Sequence, residues 1–304
     1  MEYMEPLVSV IITTYKRKPE ILKQAVDSVL GQTYQNLELI VVDDNGAGTE
    51  FQRYNQIFFE SHSDVIYLIN EKNSGSQYSR NRGILSSHGE YIALLDDDDY
   101  WAVEKIEKQM EYFSIDQNIG LVFCRGYICD ENGTSTGEGY FNEELIFESC
   151  IGFEHMLFQD YVGSTSQALI RRDCFYRVGI FDPALPARQD YEMWIRISRN
   201  YSLIGCSEHL FYHRMHSGEQ ISKDVNKAVA GFKYIYQKYK ADYKKNKKAK
   251  INILKFIYGN CKTAKDYGGY VRYFMCYFFT SPFEAIGRII RKPFKMVFGR
   301  GDAE

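Results

Sequence analysis

No Cys-x-x-Cys pair occurs in the 304 residues, and the seven cysteines, Cys124, Cys129, Cys150, Cys174, Cys206, Cys261 and Cys276, are odd in number and scattered. That distribution argues against a disulfide framework or a zinc module and fits a reducing compartment. Proline is scarce as well. Six prolines beside 45% hydrophobic and 15% aromatic residues exclude a disordered, collagen-like or proline-rich chain and leave apolar mass for a sizeable core. No stretch approaches the roughly 18 uninterrupted apolar residues of a spanning helix, and Met1-Glu2-Tyr3-Met4-Glu5-Pro6 is acidic where a secretory leader is basic. The expectation is a cytoplasmic protein that is not integral to a membrane. The net charge of −3 hides an asymmetry: residues 233–300 carry 17 Lys and Arg against 3 Asp and Glu, which leaves about −17 for the rest.

What is present is a recurrence of short β-branched apolar runs, Leu7 to Ile12, Leu37 to Val42, Val65 to Ile69, Tyr91 to Leu95 and Ile119 to Phe123. Continuous runs of this kind suit strands buried on both faces. Between the first two, Ile21, Leu22, Ala25, Val26, Val29 and Leu30 repeat at helical spacing, with Pro19 at the start and Gly31 past the end. Ser76 to Ser87 and Val103 to Phe113 also suit helices. The alternation predicts an α/β domain with a mostly parallel central sheet flanked by helices. From about Val225 the texture turns Lys- and Tyr-rich, with helices expected over Ala228 to Lys250 and Ile251 to Tyr267. We therefore divide the chain into an α/β domain, 1–222, and a basic, aromatic-rich helical region, 223–304.

In such sheets ligands gather beyond the carboxyl ends of the strands. Those ends carry Thr13-Thr14-Tyr15, Asp43-Asp44-Asn45-Gly46 and Asp96-Asp97-Asp98-Asp99. Six carboxylates at neighbouring strand ends repel one another, and their burial calls for a cation. A divalent metal is the simplest, and oxygen ligands favour Mg²⁺ or Mn²⁺, which complete their shells with substrate phosphates. An isolated acidic run is more often a solvated loop. Here it follows Tyr91-Ile92-Ala93-Leu94-Leu95 directly and precedes Trp101, a placement that favours a site.

These segments, in order, resemble nucleotide-sugar-dependent glycosyltransferases of family 2, which have the GT-A fold. The resemblance spans roughly residues 6–222. It rests on the run Val8 to Tyr15, Ser28 to Tyr34, Glu38 to Asp44, Asn73-Ser74-Gly75 with Ser79-Arg80-Asn81-Arg82-Gly83, and Leu95 to Trp101. Gly179-Ile180-Phe181-Asp182, Asp190-Tyr191-Glu192-Met193-Trp194 and Tyr212-His213-Arg214-Met215-His216 complete it.

The resemblance implies a UDP-sugar donor. Asp96 to Asp98 looks like the D-x-D motif, with Asp96 toward the donor ribose, Asp97 within the donor site, and Asp98 on a metal that bridges the diphosphate. Asp43 and Asp44 match the pair that meets uracil and ribose, Thr13 and Tyr15 match positions lining the base pocket, and Arg80 matches a donor-side arginine. Asp190 falls on the catalytic base. The family usually has Glu-Asp there, and Gln189 replaces that Glu. His216 is the better aligned of two histidines for a metal contact. Trp101 suits core packing and Trp194 either packing or a place near the acceptor.

The implied chemistry is inverting displacement, as in transferases that build bacterial surface polysaccharides, moving a hexosyl or N-acetylhexosaminyl unit. The acceptor is a glycan or lipid-linked saccharide. In the tail, Arg272, Arg288, Arg291, Lys292 and Lys295 interleave with Phe274, Phe278, Phe279, Phe294 and Phe298, which suits peripheral attachment to an anionic membrane face better than nucleic acid. Glycoside hydrolysis by paired carboxylates would need neither nucleotide nor metal. The non-enzymatic alternative is a membrane-surface or nucleic-acid binding module with a catalytically silent GT-A core.

Overall fold

The structure, a computed structural model, describes residues 5–140, 148–215 and 224–288. The first apolar run forms β1 (Val8–Thr14), and the amphipathic stretch after it forms α1 (Pro19–Leu30), with Pro19 in the first turn and Leu22, Ala25, Val26 and Val29 buried. Leu30, expected in that stripe, is exposed. Next come β2 (Leu37–Asp43), α2 (Glu50–Glu60), β3 (Val65–Ile69), α3 (Ser76–Ser86), β4 (Tyr91–Asp96) and the short β5 (Tyr100–Trp101). Thr49 caps α2, its side chain accepting from the Gln52 amide.

The chain continues through α4 (Lys105–Phe113), β6 (Ile119–Cys129), β7 (Ser135–Tyr140), β8 (Cys150–Ile151), α5 (Phe153–Phe158), a single 3-10 turn Thr165–Gln167, β9 (Leu169–Arg171), α6 (Arg172–Val178), α7 (Gln189–Ser198) and β10 (Ser202–Arg214). The strands form one sheet in the order β3-β2-β1-β4-β9-β6-β10-β5, with β7 on β6 and β8 on β10. From β3 to β4 the pairing is parallel; β9 runs antiparallel between β4 and β6, so the sheet is mixed beyond β4.

The chain runs outward from β1 through β2 to β3 and then crosses back to β4 on the other side of β1, a change of direction that opens a crevice at the carboxyl ends of β1 and β4. Register puts the sequence clusters there: Thr13 pairs with Val42 and with Asp96, and Thr14 with Asp43. The α/β sheet flanked by helices that the sequence predicts is thus observed, with its acidic strand ends on one edge.

The described residues among 1–156, 160–184 and 189–218 form one compact unit, and those among 157–159, 185–188 and 219–304 a second. The second is helical: α8 (Val225–Lys238), α9 (Lys240–Lys245), α10 (Lys247–Thr263) and α11 (Tyr267–Thr280), followed by a helical stretch at 282–288. Where the sequence suggests one helix to Lys250, the chain breaks at Tyr239 and again at Asn246. Asn246 takes an extended conformation, and its side chain accepts from the Ala249 amide, starting α10.

Helix α3 approaches β1 closely at Gly83, where a Cβ would stand 2.4 Å from Ile11 Cγ2. The constraint is space and not backbone freedom. Gly83→Ala gains roughly 1 kcal/mol of helix propensity, but overpacking a buried contact costs about 1–3 kcal/mol. Net destabilisation is expected, read as a lower urea midpoint at unchanged slope; a midpoint equal to or above the parent's contradicts the close packing.

Candidate active site

Asp43, at the end of β2, is fully buried. One carboxylate oxygen accepts from the Asn45 amide and from Asn45 Nδ2, both at 2.8 Å. The other accepts from Asn55 Nδ2 at 2.8 Å and from the Tyr67 hydroxyl at 2.6 Å. Burial and then the Asp43 carboxylate push the Tyr67 hydroxyl up. Four donors from the turn after β2, from α2 and from β3 thus occupy this acid. Asp43, matched to the uracil contact, has these lone pairs engaged within the chain and orients Asn45, whose Oδ1 accepts from the Lys16 amide at 2.7 Å.

Asp44 accepts from Asn70 Nδ2 at 2.7 Å and from the Ser74 and Gly75 amides at 2.8 Å, which folds the segment Asn73 to Gly75 over the strand ends. Gly75 sits at φ 89°, a conformation that favours glycine. Tyr15 is exposed, and the Asn73 side chain, hydrogen-bonded to its hydroxyl, holds that hydroxyl below its usual range. Thr13 is half-buried at the same edge.

The turn after β4 carries four carboxylates, and each meets a charged or polar group of the chain. Asp96 Oδ1 accepts from Arg80 Nη2 at 2.6 Å and from Thr165 Oγ1 at 3.2 Å. Burial works against its ionisation, yet Arg80 holds its carboxyl below the ordinary value. Arg17 bridges the next two acids: Nη2 lies 2.8 Å from Asp97 Oδ1 and 3.0 Å from Asp98 Oδ2. Asp97 is pushed up to about 6 by burial, opposed by Arg17 and assisted by the Asp98 charge. Asp99 accepts from Ser166 Oγ at 2.7 Å and from the Arg214 amide at 3.1 Å, and His213 Nδ1 stands 3.1 Å away. Burial disfavours the charged His213 ring, but Asp99 outweighs it and the ring is held above its ordinary value.

Arg17 and Arg80 pair with three of these acids from within the chain, at the place where sequence reasoning puts a divalent ion. Arg17 and Asp99 are missing from the expected site residues. Arg17 had a signal, since it follows Thr13-Thr14-Tyr15 at a strand end. Among the described residues no group of three or more His, Cys, Asp or Glu side chains forms a metal cage. The donor set still fits Mg²⁺ or Mn²⁺, because such ions commonly take one or two protein carboxylates and complete their shells with phosphate oxygens. Asp96 and Asp98 offer that. His216 lies outside the described residues.

Asp190 stands in the first turn of α7, where its Oδ1 accepts from the Tyr191 amide at 2.8 Å. Its charge acts on Arg80 and on the Tyr140 hydroxyl, both of which also feel Asp96. Residues distant in sequence, 80, 96 and 190, thus share one electrostatic neighbourhood. Glu192 is fully buried and ion-paired to Arg196 at 2.9 Å, whose guanidinium also donates to the carbonyls of Val178, Gly179 and Ile180, a structural clamp. Trp101 packs in the core and donates to the Ser166 carbonyl at 2.9 Å, and Trp194 is equally buried, donating to the Gly163 carbonyl at 3.3 Å. Neither indole is available to stack on a sugar.

The chain belongs to glycosyl transferase family 2, whose model matches residues 9–179. It is 28% identical over 256 residues to an uncharacterised glycosyltransferase of Methanocaldococcus jannaschii, covering 84% of this chain and 85% of that protein. It is also 28% identical over 241 residues to the putative teichuronic acid biosynthesis glycosyltransferase TuaG of Bacillus subtilis, covering 78% and 90%. A relative in Rickettsia felis, an uncharacterised glycosyltransferase, is 32% identical over 224 residues; that match covers 73% of this chain but only 36% of the relative. Among solved structures, S. aureus TarS 1–349 in complex with UDP-GlcNAc superposes with a TM-score of 0.59 at 14% identity, covering 87% of this chain and 89% of that one, a likeness of fold. Among the described residues no helix is long and apolar enough to cross a membrane.

The two acid clusters differ in what their loss should do. Asp43→Ala strands several buried donors at about 1–3 kcal/mol each, and a net loss of about 2–4 kcal/mol in urea unfolding is expected. Asp98→Ala, at the partly open edge, should stay within about 1 kcal/mol of the parent. Equal losses for the two variants would contradict this division.

Proposed function

We propose that the chain is an inverting glycosyltransferase that moves a hexosyl or N-acetylhexosaminyl unit from a UDP-sugar to a hydroxyl of a glycan or lipid-linked acceptor in polysaccharide biosynthesis. The observation that carries this reading is Arg80: it hydrogen-bonds Asp96 of the D-x-D segment and lies within electrostatic reach of Asp190. This supports a reading in which donor-side and acceptor-side groups act at one reacting centre. One relative and one fold neighbour point the same way: TuaG is named for teichuronic acid biosynthesis, and TarS is seen with UDP-GlcNAc.

On this reading Tyr15, Thr13, Asp44 and the loop Asn73 to Gly75 bound the nucleotide end, while Arg80 orients the donor near Asp96 and Asp97. Asp190 accepts the proton as the acceptor O–H breaks and its oxygen bonds the anomeric carbon; the C–O bond to the diphosphate breaks with its electron pair leaving on UDP. One displacement inverts the configuration, and no second carboxylate is required as nucleophile. Glu192, held by Arg196, agrees with that economy of roles. A divalent cation, Mn²⁺ or Mg²⁺, would be held by Asp98 beside Asp96 and would neutralise charge on the departing diphosphate.

Asp190→Asn is expected to lower UDP release from a UDP-sugar in the presence of acceptor by about 10²–10⁴-fold, while UDP affinity by calorimetry changes little. Turnover equal to the parent's would remove the base assignment. Arg17 occupies Asp97 and Asp98 and so competes with an incoming cation. Arg17→Met, titrated with Mn²⁺ alone near pH 8, should bind the ion roughly tenfold more tightly than the parent by electron paramagnetic resonance, and adding Asp98→Ala should erase the gain. No change in either titration would separate Arg17 from cation binding.

A further inference from the structure

The two faces of α11 meet different surroundings. Tyr273 and Tyr277 are buried, and Phe274 packs against Tyr258 and Tyr270 with ring centroids 5.6 and 6.0 Å apart, closing the helical unit's core. On the opposite side Tyr267, Val271, Met275 and Phe279 recur at every fourth residue and are exposed, and the row continues into 282–288 with Phe283 and Ile286. Rows at this spacing turn only about 40° per step around a helix, so these side chains form one strip. Phe279 is 74% and Phe283 92% exposed. Single exposed apolar residues are ordinary, whereas a contiguous strip marks an interaction surface.

Charge says what covers it. Residues 233–288 carry 13 Lys and Arg against 3 Asp and Glu. Two of those acids are already engaged, Asp266 by Lys233 at 2.8 Å and Glu284 by Lys255. Lys244, Lys245, Lys247 and Lys248 are all exposed around the α9–α10 junction. A second copy docked through the same helical unit would bring like charge onto like charge. An anionic surface is complementary, and aromatic, aliphatic and basic side chains together are the composition of interfacial helices.

We propose that the exposed face of α11 and its continuation 282–288 docks on an anionic lipid bilayer, with its apolar strip at the boundary of headgroups and acyl chains. No described helix is long and apolar enough to span one, so the helix lies in the surface. The strip differs from the aromatic set that the sequence suggests: Phe274 faces inward, and Tyr267, Val271 and Met275 join Phe279. Phe294, Phe298, Arg291, Lys292 and Lys295 lie outside the described residues. This inference rests on the helical unit and is independent of the proposed transfer chemistry.

Flotation of the full chain with vesicles of equal parts phosphatidylglycerol and phosphatidylcholine tests it, with phosphatidylcholine alone as the reference. Binding is expected on the anionic vesicles only, weakened several-fold at about 0.5 M salt. Phe279→Ser with Phe283→Ser should reduce partition roughly tenfold at unchanged circular dichroism, and glutamine at Lys244, Lys245, Lys247 and Lys248 should reduce it comparably. Failure of the parent to float with anionic vesicles overturns the proposal, as does undiminished binding of the Phe variant. So does a parent dimer that the Phe variant converts to monomer, or a strip that binds single-stranded nucleic acid and no vesicles.

Discussion

Four consecutive aspartates follow a buried strand at the centre of the sheet, and their mutual repulsion in a partly dry environment would unfold the turn unless positive charge or hydrogen-bond donors met them. Arg17 spans Asp97 and Asp98, Arg80 holds Asp96, and Asp99 is tied to Ser166, His213 and the Arg214 backbone. Arg214 adds a further tie, donating from Nε to the Asp98 carbonyl at 2.9 Å. The turn is therefore held from the loop after β1, α3, the 3-10 turn and β10 at once. A guanidinium can serve two carboxylates because its planar fork presents several donors in fixed directions. A lysine at position 17 would supply the charge without that geometry.

The sheet makes those ties possible. Parallel register sets Thr13, Val42 and Asp96 at one level, so side chains leaving β1, β2 and β4 emerge on the same edge. The close approach at Gly83 brings α3 against β1 and, less than one turn earlier in the helix, brings Arg80 over Asp96. A bulkier residue at position 83 would lift the helix and with it the guanidinium. Packing in the core and electrostatics at the rim are thus one problem, solved by the same helix.

The strands β1 to β4 and the convergence of their acidic ends were readable from apolar runs that stop abruptly at Thr, Asn and Asp. What the sequence could not reveal was the direction each acid faces. Asp43 and Asp44 are adjacent and chemically alike, yet Asp43 turns inward to Asn55 and Tyr67, while Asp44 ties down Ser74 and Gly75. Those partners sit on other elements, so local pattern carries no trace of them. Asp99 is harder still, since Ser166 and His213 lie 67 and 114 residues away. Strand β7, Ser-Thr-Gly-Glu-Gly-Tyr, has neither an apolar run nor alternation. The break at Asn246 lacks the Gly or Pro that usually signals one, and only the side-chain cap betrays it.

Charge in this chain is sorted along the sequence as well as within the site. Residues before 233 carry the acidic excess and the helical region the basic one, although either sign alone would suffice for solubility. Sorting of this kind gives a protein a polarity that any charged surface can read at distances up to a Debye length, about 8 Å in physiological salt. At direct contact, well inside that range, buried apolar area adds to it, and that draws on apolar side chains that the core has left outside. Tyr273 and Tyr277 show that α11 could have buried its aromatic residues where packing called for them. That Phe279 and Phe283 remain uncovered on the same short segment reflects which face the helix turns inward, and it leaves the basic excess and the exposed apolar strip on one structural unit.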